Sequence, residues 1–525
     1  MPEFDVVVLG GGTAGVRVAA EVARGGRSVA VVEAGLVGGE SPYLACLPSK
    51  SLLHAAARGE TWEHAVARRD EVTSHLDDTA AAARLAEAGV TLVRGTGRVA
   101  RPGTVEAVLG SGAPAAQQAD AAEVTSLDYT DLVIATGSEP VAPPIEGLPG
   151  IPAWTSAEAL CCPDLPRRLV VLGGGPAGCE LAQIYAAFGS QVTLVEAEGT
   201  LLPGEAPFTG EVLADALRRT GAEVRLGSAA VKAERTDEGL ALTLEDGSRI
   251  EADRVLLATG RRPRLSGLGL GALGIGIKPG MTLPVDAACR VATDGTGQAA
   301  GRGKPAGAGR PGGPEEAGGP RERVWAAGDV TGIGTHAHTA TYQARIVASN
   351  ILGSKREADY RAIPRAVYTM PSVFAVGVTP RAAAEAGISL VTAGFDLQDT
   401  ARAAVGGDDA GRVELYAHAD SGVLVGAAAV GPQAAEWMGE ITVAIRAGVP
   451  LATLADVVHA FPAYGEALEL PLAELAKKAG QPRRETSTPG PARRSSRKIT
   501  RITRQETGSD PGQAQDAGQA KERGA

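Results

Sequence analysis

Two copies of one nucleotide-binding signature constrain this 525-residue chain more than any other feature of it. Phe4-Asp5-Val6-Val7-Val8-Leu9 is a continuous apolar run, the pattern of a strand buried on both faces of a parallel sheet. It leads into Gly10-Gly11-Gly12-Thr13-Ala14-Gly15, a helical stretch to Ala23, a second apolar run over 28–32, and Glu33. The order recurs in the apolar run 168–172, Gly173-Gly174-Gly175-Pro176-Ala177-Gly178, the run 191–195 and Glu196. From first glycine to acid is 23 positions in both copies. Strand, GxGxxG turn, helix, strand and acid form a dinucleotide fingerprint: Gly12 lets the backbone approach a pyrophosphate at the helix N-terminus, and Glu33 accepts from a ribose hydroxyl. Gly10 and Gly15, with Gly173, Gly175 and Gly178 in the second copy, complete the candidate cofactor-binding set.

Two dinucleotide sites imply two dinucleotides. The economical assignment is a tightly held FAD in the first copy and a dissociable nicotinamide cofactor in the second. Glu196 favours NADH, because a carboxylate there accepts from a 2'-hydroxyl and repels a 2'-phosphate, and Ala197-Glu198-Gly199 brings no arginine.

Such a length exceeds one hydrophobic core, and 44% hydrophobic residues suit a globular protein of several domains. The net charge is −10, with a basic stretch from Lys477 onward, so the body is more acidic still; this argues against a nucleic-acid-binding core. Five cysteines in no regular framework suit a reducing compartment, with the cytoplasm the default location. No metal-ligand spacing appears. The first apolar run is already a nucleotide-binding strand, so no signal peptide is expected, and without a run of 18 apolar residues no membrane span is expected either.

Between the two fingerprints lies Gly38-Gly39-Glu40-Ser41-Pro42-Tyr43-Leu44-Ala45-Cys46-Leu47-Pro48-Ser49-Lys50. It resembles the redox segment of the class I pyridine nucleotide-disulfide oxidoreductases, among them dihydrolipoamide dehydrogenases, glutathione reductases and mercuric reductases. In that family the segment reads Gly-Gly-Thr-Cys, four residues, then Cys-(Ile/Val/Leu)-Pro-Ser-Lys, and its cysteines form a disulfide against a flavin. Here Ser41 stands at the first cysteine's place and Cys46 at the second. A serine oxygen cannot close a disulfide.

Further segments carry the resemblance. Ala135-Thr136-Gly137 and Ala258-Thr259-Gly260 match the family's domain crossings and imply Thr136, Gly137 and Gly260 as cofactor contacts. Ala327-Gly328-Asp329 matches the second flavin segment, whose Asp binds the ribityl chain. Lys50 and Glu180 match the lysine-glutamate pair beside flavin and nicotinamide. Near the end the family has His-Pro-Thr, two residues, Glu; here Pro462 and Glu466 are in register and Phe461 occupies the histidine's place. Phenylalanine has no exchangeable proton and cannot act as a general base. His459 reads as a packed or hydrogen-bonded residue. Cys46, Lys50, Glu180 and Glu466 are therefore the catalytic candidates.

The implied fold is α/β: an FAD-binding domain over 1–150 and 264–355, with a disordered insertion at 294–322; an NAD-binding domain over 151–263; an α+β dimerisation domain over 356–476; and a disordered basic tail over 477–525. The expected function is hydride transfer from NADH to FAD and on to a quinone or similar small acceptor, by a homodimer that binds no nucleic acid. Alternatives are a dihydrolipoamide dehydrogenase-like reaction, a peroxidase or oxidase cycling Cys46 through a sulfenic acid, or a flavoprotein binding module without turnover.

Overall fold

Valine-rich runs build the first sheet from its centre. Glu3–Leu9 pairs in parallel with Val29–Glu33 on one side and Val124–Ile134 on the other, and Arg323–Ala326 extends the sheet beyond Val124–Ile134. Val6, Val7 and Val8 are fully buried, because helices Thr13–Arg24 and Ala337–Ile351 cover one face and Leu127, Leu265 and Leu268 pack on the other. The strand Val90–Arg101 changes partner halfway: Val90–Arg94 runs parallel to Val29–Glu33, whereas its second half turns antiparallel to Thr104–Leu109. That strand in turn pairs with the start of Val124–Ile134. The computed structural model describes residues 2–110, 123–237, 239–292, 323–407 and 411–479, all within one compact unit, Met1–Gln481. The expected insertion at 294–322 lies outside the described residues; of the expected tail over 477–525, Lys477 and Lys478 instead close helix Glu469–Lys478, and the residues from 480 onward lie outside the described residues.

The second fingerprint repeats the first. Arg168–Leu172 lies between Gln191–Val195 and Arg254–Leu257 in a five-stranded sheet completed by Glu223–Arg225 and Ala153–Thr155. A three-stranded antiparallel sheet, Ala230–Thr236, Gly239–Leu244 and Arg249–Ala252, packs beside it. Each fingerprint helix, Thr13–Arg24 and Pro176–Ala187, has 12 residues. The two chain crossings between these sheets pair with each other, Ser138–Pro140 antiparallel to Arg261–Pro263.

The C-terminal sheet is antiparallel, in the order Pro364–Val367, Ser372–Gly377, Leu424–Gly431, Arg412–His418, Leu390–Asp396. The segments 372–377 and 424–431 are buried almost continuously rather than on alternate residues, because both faces are covered. Helices Gly439–Ala447 and Glu469–Lys478 lie on one face; on the other, Val373 and Val430 join the core around helix Pro176–Ala187. The strand Leu424–Gly431 is followed by two helices, Ala434–Trp437 and Gly439–Ala447. No helix among the described residues is long and apolar enough to cross a membrane.

The third glycine of each fingerprint decides how closely helix and strand approach. A Cβ on Gly15 would lie 1.8 Å from the Gly10 carbonyl oxygen, and one on Gly178 would lie 1.9 Å from that of Gly173. Neither fits without moving backbone, and overpacking of this kind costs about 1–3 kcal/mol. Gly15→Ala is expected to lower the unfolding free energy by about that amount, measured by denaturant titration; unchanged stability would show that the helix can move off the strand freely.

Candidate functional site

A cavity of about 600 Å³ opens along the C-terminal edge of the first sheet. Its floor is the turn after Glu3–Leu9, with Gly10, Gly12 and Thr13; its far wall is the Gly328-Asp329 turn with Ala337 and Ala340. The N-termini of helices Thr13–Arg24 and Ala337–Ile351 thus both face it, and their free N–H groups favour an anion. A Cβ on Gly137 would meet nothing within 4 Å, and one on Gly12 only the Gly39 Cα at 3.8 Å. Both glycines line the cavity, so the space a side chain would take is left to a ligand.

Glu33 stands at one end. Its Oε2 accepts from the Gly11 N–H at 2.5 Å and its Oε1 from the Gly35 N–H at 2.6 Å, which fixes the carboxylate while leaving each oxygen a further lone pair for a hydroxyl. Glu196 repeats this: Oε2 accepts from the Gly174 N–H at 2.5 Å and Oε1 from the Glu198 N–H at 2.8 Å. The sheet also sets Arg225 beside it, where the Glu196 N–H donates to the Arg225 carbonyl at 2.9 Å, but that guanidinium is paired with Glu223 at 2.7 Å.

Asp329 lines the cavity, and both its side chain and the Gly328 backbone before it are held. Ser138 Oγ donates to its Oδ2 at 2.6 Å. Behind it the Gly328 N–H donates to Oε1 of the fully buried Gln343 at 2.7 Å, and Gln343 Nε2 donates to Thr331 Oγ1 at 3.1 Å and Tyr360 OH at 3.2 Å. Gly328 has φ +84°, a conformation glycine adopts without steric cost. The crossings are tied in matching ways: Thr136 Oγ1 donates to the Arg264 carbonyl at 2.7 Å and Thr259 Oγ1 to the Val141 carbonyl at 2.8 Å. Thr136 and Gly137 line the cavity; Gly15, Gly173, Gly175, Gly178, Glu196 and Gly260 do not, and of the second fingerprint only Ala177 reaches it.

The redox segment closes the remaining wall. Gly38 N–H donates to the Gly11 carbonyl at 2.8 Å, and a Cβ on Gly39 would lie 2.8 Å from the Gly12 Cα. The segment therefore rests backbone on backbone upon the first fingerprint. Ser41 and Cys46 both line the cavity, and Cys46 begins helix Cys46–Ala57. All five cysteines are unpaired. Burial pushes the Cys179 thiol well above its usual range and that of Cys289 up to about 11, so neither supplies a thiolate at neutral pH. One turn along the helix, Lys50 does not line the cavity; it pairs with Glu180, with Nζ 2.7 Å from Oε2 and 3.0 Å from Oε1, and sits 4.8 Å above the Tyr368 ring.

The C-terminal candidates lie elsewhere. Glu466 Oε1 accepts from the Arg402 N–H at 2.9 Å and does not line the cavity. His459 is held between two carboxylates, Nε2 3.2 Å from Glu440 and Nδ1 3.4 Å from Glu469, whereas Phe461 is 76% exposed. Sequence reasoning missed Glu40, Ser138, Arg261 and Gln343. Arg261 stands in the crossing next to Gly260, but nothing in its spacing points to Glu40, 221 positions away.

The profile of pyridine nucleotide-disulphide oxidoreductases matches residues 4–296, and that of their dimerisation domain matches 363–471. The chain is 33% identical over 508 residues to a dihydrolipoyl dehydrogenase of Thermus scotoductus, covering 91% of this chain and 99% of that one. To a mercuric reductase of Streptomyces lividans it is 32% identical over 491 residues, covering 89% and 95%. A solved structure of a HOCl-induced flavoprotein disulfide reductase from Escherichia coli matches with TM-score 0.75 at 25% identity, covering 89% of this chain and 99% of that one. The fold is thus the mixed α/β arrangement of flavoprotein disulfide reductases. The chain belongs to the pyridine nucleotide-disulphide oxidoreductases, flavin-dependent enzymes whose members use FAD and NAD(H).

Proposed function

We propose that this protein passes hydride from NADH to a bound FAD and then to a quinone or similar small acceptor. The observation that carries the reading is the redox wall of the cavity, where Ser41 and Cys46 bring one sulfur, unpaired, to the place where the family has two. Thiol-disulfide exchange needs a second sulfur, and thiol oxidation needs a base that Phe461 cannot be. Hydride transfer needs neither.

The cavity suits FAD: Gly12 and Gly137 leave a side chain's space free, and two helix N-termini face it. When bound there the flavin supplies the electron-carrying ring. Glu33 would take a ribose hydroxyl and Asp329 the ribityl chain. Lys50, held by Glu180 behind the redox wall, would be the cation that the family resemblance implies beside the ring, where a positive charge favours the negative charge of the reduced form. Gly173, Gly175, Gly178 and Glu196 would hold the nicotinamide cofactor, with Gly260 at the crossing. The same reading divides the chain into an FAD-binding domain over 1–150 with 264–355, an NAD-binding domain over 151–263 and a dimerisation domain over 356–476, as the sheet memberships support. A homodimer, to whose interface Glu466 and the exposed Phe461 would contribute, accords with the dimerisation domain. Five free cysteines accord with the cytoplasm.

Two outcomes follow. Cys46→Ser is expected to keep NADH-dependent quinone reduction within about threefold of wild type, less than 1 kcal/mol of barrier; a loss of two orders of magnitude, together with loss of peroxide reduction, would instead establish a Cys46 sulfenate cycle. Glu196→Ala removes a charged acceptor worth about 1.5–3 kcal/mol, so KM for NADH should rise by about tenfold or more while that for NADPH falls. Equal KM changes for both cofactors would contradict the role given to Glu196.

A further inference from the structure

The cavity's charges are arranged unequally. Three carboxylates line it, those of Glu33, Glu40 and Asp329, and two guanidiniums, those of Arg261 and Arg264. Glu33 is bonded by backbone N–H groups and Asp329 by a hydroxyl. Glu40 alone is bonded by cations: Arg261 Nη2 donates to its Oε2 at 2.6 Å and Arg264 Nη2 to its Oε1 at 3.5 Å. Arg261 is a hub, since its Nε also donates to Ser138 Oγ at 2.7 Å and its Nη2 to the Ser138 carbonyl at 2.8 Å. Ser138 Oγ donates in turn to Asp329. A single chain of hydrogen bonds therefore runs from Asp329 through Ser138 and Arg261 to Glu40, crossing the cavity wall from the Gly328 turn to the redox segment.

Glu40 adjoins Ser41 in the segment whose Cys46 lines the same cavity. We propose that Glu40 and Arg261 form an opposed charge pair that sets the reduction potential of the bound flavin, with Glu40 holding it low. The inference rests on the reading that this cavity holds FAD. Reduction by hydride adds negative charge to the ring, so a nearby carboxylate disfavours the reduced state and a nearby guanidinium favours it. Both side chains are about one-third exposed, so water screens the effect to a modest size. A low potential suits a flavin with no neighbouring disulfide to take its electrons, because it must itself drive them onto the acceptor.

The test is an anaerobic redox titration of the flavin-loaded protein against a reference dye, comparing wild type, Glu40→Gln, Glu40→Asp, Arg261→Gln and the double variant Glu40→Gln/Arg261→Gln. Glu40→Gln is expected to favour the reduced state by about two- to tenfold, an upward shift of at most about 30 mV for a two-electron couple. Arg261→Gln should shift it the opposite way, Glu40→Asp should stay near wild type, and the double variant should fall between the single ones. If the pair only braces the wall, deleting either partner breaks the same bond and both shifts take the same sign, which overturns the proposal. A wild-type potential in Glu40→Gln overturns it as well. Should Arg261→Gln lose its flavin, the comparison of Glu40→Gln with Glu40→Asp still decides, because Gln removes the negative charge that Asp keeps. A wild-type protein that takes up no FAD would fail the functional reading itself, whereas a yellow protein with an unmoved potential fails this inference alone.

Discussion

The buried carboxylate of Glu180 ties together three parts of the chain that are far apart in sequence. It lies in the second fingerprint helix and is 5% exposed. It accepts from Ser49 Oγ at 2.6 Å, from Lys50 Nζ at 2.7 and 3.0 Å, and from the Tyr368 N–H at 2.9 Å. A buried carboxylate persists only where donors replace the water it has lost, and here those donors come from two distant parts of the chain. One turn further on, Gln183 takes both backbone groups of Met370, accepting from its N–H at 2.7 Å and donating to its carbonyl at 2.8 Å. A single face of one helix thereby fixes the Cys46 helix on one side and the edge of the C-terminal sheet on the other.

The rest of the site depends on close backbone contact. Gly15 and Gly178 let each fingerprint helix rest on its own turn, and Gly39 lets the redox segment rest on the first of those turns. These contacts set Cys46 and Ser41 into the wall of a cavity whose floor is Gly10 and Gly12. The two fingerprints are alike in helix length, in the approach of the third glycine and in the bond from the acidic residue back to the turn. The first borders the cavity along its length and the second touches it only at Ala177, in keeping with one resident and one exchanging cofactor.

Legibility in the sequence followed the range of each interaction. Strands buried on both faces announce themselves as unbroken apolar runs, and the fingerprint turns as glycines at fixed offsets, so the fingerprint strands at both nucleotide sites could be read in advance. Val90–Arg101 could not: it mixes Gly95, Gly97 and three arginines because it changes from a parallel to an antiparallel partner midway. In the C-terminal sheet, cover on both faces replaced the alternation expected of an antiparallel layer. Lys50 and Glu180 were legible through the family resemblance alone, since 130 residues separate them. The pairing of Glu40 with Arg261, and of Gln343 with Gly328, follows from no motif spacing; each became visible only when the fold brought a turn, a crossing and a helix together.

The departures from the family concentrate on one half of its chemistry. Nucleotide fingerprints, crossings, the Lys50–Glu180 pair and Asp329 are all in place, whereas the groups that exchange thiols are replaced by Ser41 and by an exposed Phe461. In the function proposed for it, electrons leave from the flavin without a thiol relay. The most direct measurement reduces the flavin-loaded protein anaerobically with NADH, mixes it separately with a soluble quinone, lipoamide, oxidised glutathione and peroxide, and follows flavin reoxidation. Rapid reoxidation by the quinone, with lipoamide and glutathione inert, is the predicted result. Rapid reoxidation by lipoamide would contradict it, and would mean that a thiol-exchanging route operates without the second cysteine.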